Sequence, residues 1–409
     1  MRRNRSRIGA LALVVTLGAV GLVRSADEGS QETRTDMSKG GVAWSWGDNS
    51  IRFVGFAQLR FIAEDKEQFD ADAPGSSGAG SEDGLATAFQ VPRVRLGFKG
   101  TMWKPWLKYA VSYELGQTSG DRDSKFKDAY VEFAAKPMAS VRFGQFKVPF
   151  SFQELIGDEV LLFAERAITN LFAPGREQGA VLAGVTANKR FGYAAGAFNG
   201  SGESKNQDDD ALLYAAQVYW DPLGEYKLTE SSLDAPEKGS VLHLAGGYRT
   251  GEPGRGYNTQ GAFEDPNNQD AVNLAVGWKN RRFTATGEFY TQTTEVVNPP
   301  PAAPDVDSDG WHVQGSFAAI PQKLDFALRY AVVDGDTDSP DGEVTETRGL
   351  VAYYWKGHNL KLQFDLGTLE YEPSAPGRNT SGATLASGTR LVADNVTDTV
   401  ARVQVQLAF

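Results

Sequence analysis

The chain has 409 residues, a formal net charge of −11, 45 glycines and no cysteine. A disulfide-stapled scaffold is excluded, nothing in the acidic balance implies a nucleic-acid partner, and a mean hydropathy of −0.37 excludes a bundle of membrane helices. A membrane barrel is not excluded, because its strands alternate and average out.

At this length a soluble protein would divide into two or three domains, yet no Pro/Ser linker interrupts the sequence after its leader. The leader is the first 26 residues. Arg2, Arg3, Arg5 and Arg7 form a basic start and Ile8 to Val23 an apolar stretch, with small residues at Ser25 and Ala26. That stretch is shorter than the roughly 20 residues of a spanning helix, so it reads as a cleavable signal peptide. Residues 27–50 read as a polar periplasmic segment holding one short strand, Gly41 to Trp46, and 51–409 as the folded body.

The body alternates. Ile51, Phe53, Ala57, Leu59 and Phe61 share one face, and Arg52, Gln58 and Arg60 share the other with Val54 and Phe56. In the next strand Val94, Leu96 and Phe98 oppose Arg93, Arg95 and Lys99. A period of two marks strands with one apolar face. Continuing, about sixteen strands emerge, each near the ten residues that a tilted membrane strand needs. Met102–Pro105, Lys136–Ala139, Asn188–Lys189, Asn280–Arg281, Ile320–Gln322 and Lys356–His358 are tight turns. They alternate with long polar loops at 63–88, 251–269, 292–309 and 370–393. Short turns on one rim and long loops on the other predict an all-β fold, a transmembrane antiparallel barrel with both termini in the periplasm. Asp221 to Gly239 departs from this alternation, being long where a short turn is due, and reads as a periplasmic excursion.

Trp103, Trp106, Tyr219, Trp220, Tyr353, Tyr354 and Trp355 cluster at strand ends as an interfacial girdle would. The last strand sets Ala401, Val403, Val405, Leu407 and Phe409 against Arg402, Gln404 and Gln406. Ending on an aromatic residue, it resembles the recognition signature of bacterial outer-membrane barrels.

After the strand ending at Val148, about thirty residues pass before the next one. Loops of this length are usually functional, and Leu161, Leu162, Phe163, Ala164, Ile168, Leu171 and Phe172 make this one apolar enough to pack inside a barrel. Arg93-Val-Arg-Leu-Gly-Phe-Lys-Gly100, Lys127-Asp-Ala-Tyr-Val-Glu-Phe133, Gly144-Gln-Phe-Lys-Val-Pro-Phe-Ser151 and Pro174-Gly-Arg-Glu-Gln-Gly179 resemble the phosphate-selective porin O and P family. The resemblance is specific between about 88 and 187. It implies a homotrimer of sixteen-stranded channels in the Gram-negative outer membrane, surrounded by lipid and lipopolysaccharide. It also implies a basic wall that draws in small anions such as phosphate or polyphosphate, and an inward-folded third loop that selects them. Pro149, Phe150, Phe152, Glu154, Arg166 and Arg176 are the candidate constriction residues.

Parity places Arg52, Arg60, Arg93, Arg95, Lys99, Lys108, Arg282, Arg329, Arg348, Lys361 and Arg402 inside, against Glu114, Asp128, Glu132, Glu288, Asp325 and Asp365. The acid is concentrated in loops, at Glu64, Asp65, Glu67, Asp70 and Asp72 and at Asp334, Asp336, Asp338 and Asp341. Cations lining a low-dielectric passage raise the local anion concentration, and arginine's planar fork suits phosphate. Against phosphate selectivity, the eighth strand offers only Gln217. Lys147 matches the family motif at the constriction but falls on the lipid-facing parity unless a bulge intervenes. A general or organic-solute porin is the alternative.

No cofactor motif is present. His243, His312 and His358 have no metal spacing, and no Ser/His or Asp/His rim site of an outer-membrane enzyme stands out. Asp305-Val-Asp-Ser-Asp-Gly310 resembles half a calcium loop, but Ser316 stands where the bidentate Glu belongs, which leaves a solvated loop.

Overall fold

The computed structural model describes residues 34–36, 42–66, 84–116, 125–205, 211–252, 268–295, 305–372 and 395–409. The signal-peptide reading and much of the long loops, Glu67, Asp70 and Asp72 included, lie outside the described residues.

Two short strands, β1 (Arg34–Asp36) and β2 (Ala43–Trp46), precede the long strand β3 (Asn49–Lys66). The first half of the sheet continues with β4 (Gly84–Met102), β5 (Lys104–Glu114), β6 (Lys125–Lys136), β7 (Ala139–Lys147), β8 (Arg176–Val185), β9 (Phe191–Phe198) and β10 (Leu213–Trp220). The second half is β11 (Ser240–Gly251), β12 (Gln269–Asn280), β13 (Phe283–Thr294), β14 (Val306–Ile320), β15 (Leu324–Asp334), β16 (Glu343–Tyr354), β17 (Leu360–Tyr371) and β18 (Val396–Ala408). Each of β3 to β18 pairs antiparallel with its sequence neighbours, and β18 pairs with β3 from Ala408↔Phe56 to Asp398↔Lys66. The result is a closed sixteen-stranded barrel, so no long strand edge is left unpaired.

The seam is completed by the chain end. Phe409 and Gly55 exchange two backbone bonds, at 2.9 and 3.1 Å, and the Phe409 ring packs 5.3 Å from Phe53. Below that point β2 takes over the β3 edge, from Trp46↔Asn49 to Ala43↔Arg52. The tight turns carry the left-handed backbone that two-residue connections demand, at Trp103, Lys189 and Gln322 (φ 61°, 56° and 62°).

Alternation sorts the side chains. Leu59, Phe98, Leu274, Val313, Leu328 and Leu366 stand exposed outside, a surface that water alone would not tolerate. Inside, Gln363, Asp365, Arg348, Arg402 and Gln404 are buried. Trp103, Trp106, Trp220 and Trp355 are exposed at the turn-side rim, as a girdle requires. Tyr354 is not part of it: it is fully buried against Leu162 and Phe163. Tyr219 likewise packs 5.4 Å from the buried His243, because parity turns both tyrosines inward.

Asp305 to Gly310 is no calcium loop. It runs into β14, where Val306 pairs with Thr294 and Ser316 bonds to Thr284 at 2.8 Å. Glu64 and Asp65 belong to β3 rather than to a loop. Phe409→Ala keeps the two seam bonds and loses the ring contact. Its expected cost is about 1–2 kcal/mol, read as a lower urea midpoint for the refolded barrel in detergent.

Candidate functional site

Residues 148–175, between β7 and β8, are buried almost throughout. Ser151 caps a single helical turn, Phe152–Leu155, through its side chain, and Glu288 on β13 accepts from Phe152 N (2.8 Å), Gln153 N (2.9 Å) and Ser151 Oγ (3.2 Å). A carboxylate at a helix start satisfies amides that have no partner within the helix. Further along, Lys361 Nζ donates to Leu161 O (2.9 Å), Gln363 to Leu162 O (2.6 Å), Arg329 to Glu165 O (3.0 Å) and Gln217 to Phe150 O (3.0 Å). His312 meets Thr169 Oγ1 at 2.7 Å, and Arg249 donates to Phe172 O at 3.3 Å. These partners sit on β10, β11, β14, β15 and β17. A buried segment bonded to strands on opposite arcs of a closed cylinder runs across its interior.

The charged contacts are concentrated on β3 and β4. Glu165 bridges Arg60 and Arg93, one oxygen to each at 2.5 Å. Asp158 takes Arg95 at 2.8 Å and Arg166 at its other oxygen, while Arg95 also meets Glu114 at 3.0 Å. Burial alone would raise the Glu165 carboxyl, but Arg93 and Arg60 override it and hold it well below the usual carboxylate range. Asp158 follows the same logic: burial opposes ionisation, and Arg166, Arg95 and Arg93 outweigh it.

The wall cations fall into three groups. Arg60, Arg95, Arg329, Arg348, Lys361 and Arg402 are buried inside, and Arg348 is fixed between Glu346 (2.9 Å) and Asp365 (2.7 Å). Arg93 is nearly buried, with a bond to Gln58 as well as to Glu165. Lys99 and Lys108 are exposed and Arg52 is half-buried, all three on the face that carries Arg95 (Arg52↔Lys99, Thr101↔Lys108). Arg282 sits in the turn before β13, exposed at the short-turn rim, with its carbonyl accepting from Ala318 N and its guanidinium on Ala318 O.

Lys147 lies on the nominally outward parity but reaches the segment, donating to Ile156 O at 2.7 Å and to Glu154 O. Gly144, at φ +128°, lies three residues earlier, and the pairing of β7 with β8 runs through it without a shift of register. A Cβ there would stand 2.2 Å from Ala129 O, so only glycine fits. Of the proposed constriction residues, Pro149, Phe150, Phe152 and Glu154 are buried in the segment. Arg166 binds Ile156 O at 2.6 Å and Gln153 O at 3.1 Å. Arg176 instead opens β8 and clasps Asp128 through two bonds of 3.1 and 3.2 Å.

Sequence reasoning missed Arg142, Arg249, Lys279 and Glu346, although strand parity could have found all four. It also missed the role of 221–239. That segment folds back into the barrel: Glu230 accepts from Gln153 Nε2 (2.7 Å) and Leu162 N (2.9 Å), Ser232 bonds Asp325 (2.8 Å), and Leu233 packs on Leu162 and Phe163. Ser231 and His358 meet at 3.0 Å, but His358 Nδ1 has no partner, so no carboxylate completes a hydrolytic triad. Among the described residues no group of three His, Cys, Asp or Glu could hold a metal ion.

The phosphate-selective porin O and P family matches residues 66–394. The chain belongs to this family. No curated protein matches the sequence. Among solved structures, this porin is similar to an anion-selective porin from Comamonas acidovorans (TM-score 0.58, 14% identity, 88% of this chain and 100% of that one). It is also similar to OmpT of Vibrio cholerae in a trimer form (0.55, 11%, 89% and 100%) and to the outer-membrane channel DcaP of Acinetobacter baumannii (0.52, 12%, 88% and 97%). At these identities the likeness shows the fold, while the family makes the protein an outer-membrane channel rather than an enzyme.

The Glu165 bridge has a pH signature. Its carboxyl is depressed in the folded state, so its contribution is complete above the unfolded value of about 4.3 and disappears only as pH falls below it. Single-channel conductance is expected to become larger and noisier below about pH 4 as the segment loosens, and this acid-range change is expected to be absent from Glu165→Gln; an identical acid profile in that variant would contradict it.

Proposed function

We propose that this porin carries small anions by passive diffusion, with inorganic phosphate or polyphosphate as the favoured cargo and residues 149–175 narrowing the lumen. The observation that carries the reading is the charge on the inner face of β3 to β7. Arg52, Arg60, Arg93, Arg95, Lys99, Lys108 and Arg142 stand there against Glu114, Asp128 and Glu132. The whole chain is acidic, yet this wall is basic, and cations in a narrow low-dielectric passage concentrate anions. The family match and the fold shared with an anion-selective porin support it. By the same family logic the protein works as a homotrimer among outer-membrane lipid and lipopolysaccharide, after export on the leader at 1–26 and removal of that leader. The 27–50 segment then lies on the periplasmic side of the barrel.

A second reading, diffusion without phosphate selectivity, is favoured by β10, whose inward Gln217 is occupied by Phe150 O and which brings no arginine to the wall. Planar-bilayer recordings separate the two. In a KCl gradient chloride is expected to permeate about tenfold or more over potassium, the low end of field focusing, and millimolar phosphate to reduce the chloride current. Cation preference would reject the anion reading, and chloride current indifferent to phosphate would select the second.

A further inference from the structure

The two arcs of the barrel interior are filled differently. On β14 to β18 the inward side chains are buried along the strands: Ser308, Ala331, Arg348, Asp365 and Gln406 are each at most 1% exposed. Two segments seal this arc from opposite ends. Residues 149–175 enter from the long-loop side, and 221–239, which joins β10 to β11, enters from the short-turn side. They meet where Glu230 binds Gln153 and Leu162. On β5 to β9 four inward positions hold small residues, Ala110, Ser112, Ala183 and Ala194, all still partly open, while Phe146, Val181 and Phe198 of β7 to β9 are buried against the 149–175 segment. Lys99 stands exposed directly opposite Ala110 and Lys108 exposed nearer the short turns, and the Arg142 side chain is one-third exposed beside Glu132.

Resting on the channel reading above, we propose that solute passes off-centre, along the inner face of β4 to β9. Lys99 and Lys108 select its charge at the short-turn mouth, while Arg142 is held by Glu132 at 2.6 Å. The arginines of β15, β16 and β18 anchor the seal and take no part in selection. Residues 221–239 are the floor of the closed arc, which explains why this connection is long where its equivalents are tight turns. Small side chains leave the passage room, and cations without close buried counter-charges act on a passing ion more strongly than those already paired.

The chain has no cysteine, so single cysteines report the route directly. Ala110→Cys and Ala331→Cys are compared in the full-length porin in planar bilayers with a negatively charged methanethiosulfonate, Ala327→Cys standing in for the second position if it fails to fold. The expected result is a stepwise loss of conductance at 110 and none at 331 or 327. Loss at 331 or 327, or no loss at 110, overturns the route. Lys99→Glu with Lys108→Glu is expected to abolish the anion preference, and an unchanged permeability ratio overturns the assignment of selectivity. Wild-type reversal potential is measured first: cation preference there defeats the anion reading, whereas the cysteine pattern still decides the route.

Discussion

The interior is organised by carboxylates on a connecting segment that stand between arginines on the wall. Glu165 holds Arg60 and Arg93, and Asp158 holds Arg95. Bringing such ions out of water costs several kcal/mol each, and the attraction between them offsets that only where geometry is good and the remaining donors are satisfied. Here they are: Arg60 also donates to Gln404 and Arg93 to Gln58. Removing one partner from such a cluster costs about 3–5 kcal/mol, because a buried charge is left alone. The segment therefore adopts one position, not many, and the lumen has a defined cross-section.

That arrangement reconciles an acidic protein with a basic wall. Along β15 to β18 the guanidiniums lie beside Glu346 and Asp365 and serve as structure. Along β4 to β7 the cations of the short-turn mouth retain access to solvent. A count of charges by face cannot separate these roles; burial and partners do.

The barrel was legible in the sequence because period-two alternation and tight turns are local properties. All sixteen strands lie where the alternation placed them, with ends shifted by a few residues where side chains no longer had to choose a face. Lys147 was ambiguous because it keeps the outward parity at the end of β7 while its long side chain reaches the carbonyls of Glu154 and Ile156, a reach that parity counting does not describe. The path of 221–239 was not legible. Its polar, Gly- and Pro-punctuated sequence resembles an exposed connection, and Glu230 becomes a clasp only because Gln153 and Leu162, distant in sequence, come to meet it. The family motifs cover the third segment and its neighbouring strands, and there the buried positions Pro149, Phe150, Phe152 and Glu154 were within reach of sequence alone.

The most direct measurement is the single-channel conductance and permeability ratio of Glu165→Gln, which removes one charge and keeps the shape. With Arg60 and Arg93 losing their shared counter-charge, the account predicts a larger conductance and a stronger chloride preference. Wild-type conductance with wild-type selectivity would show that the bridge neither holds the segment nor tunes the field, and would contradict it.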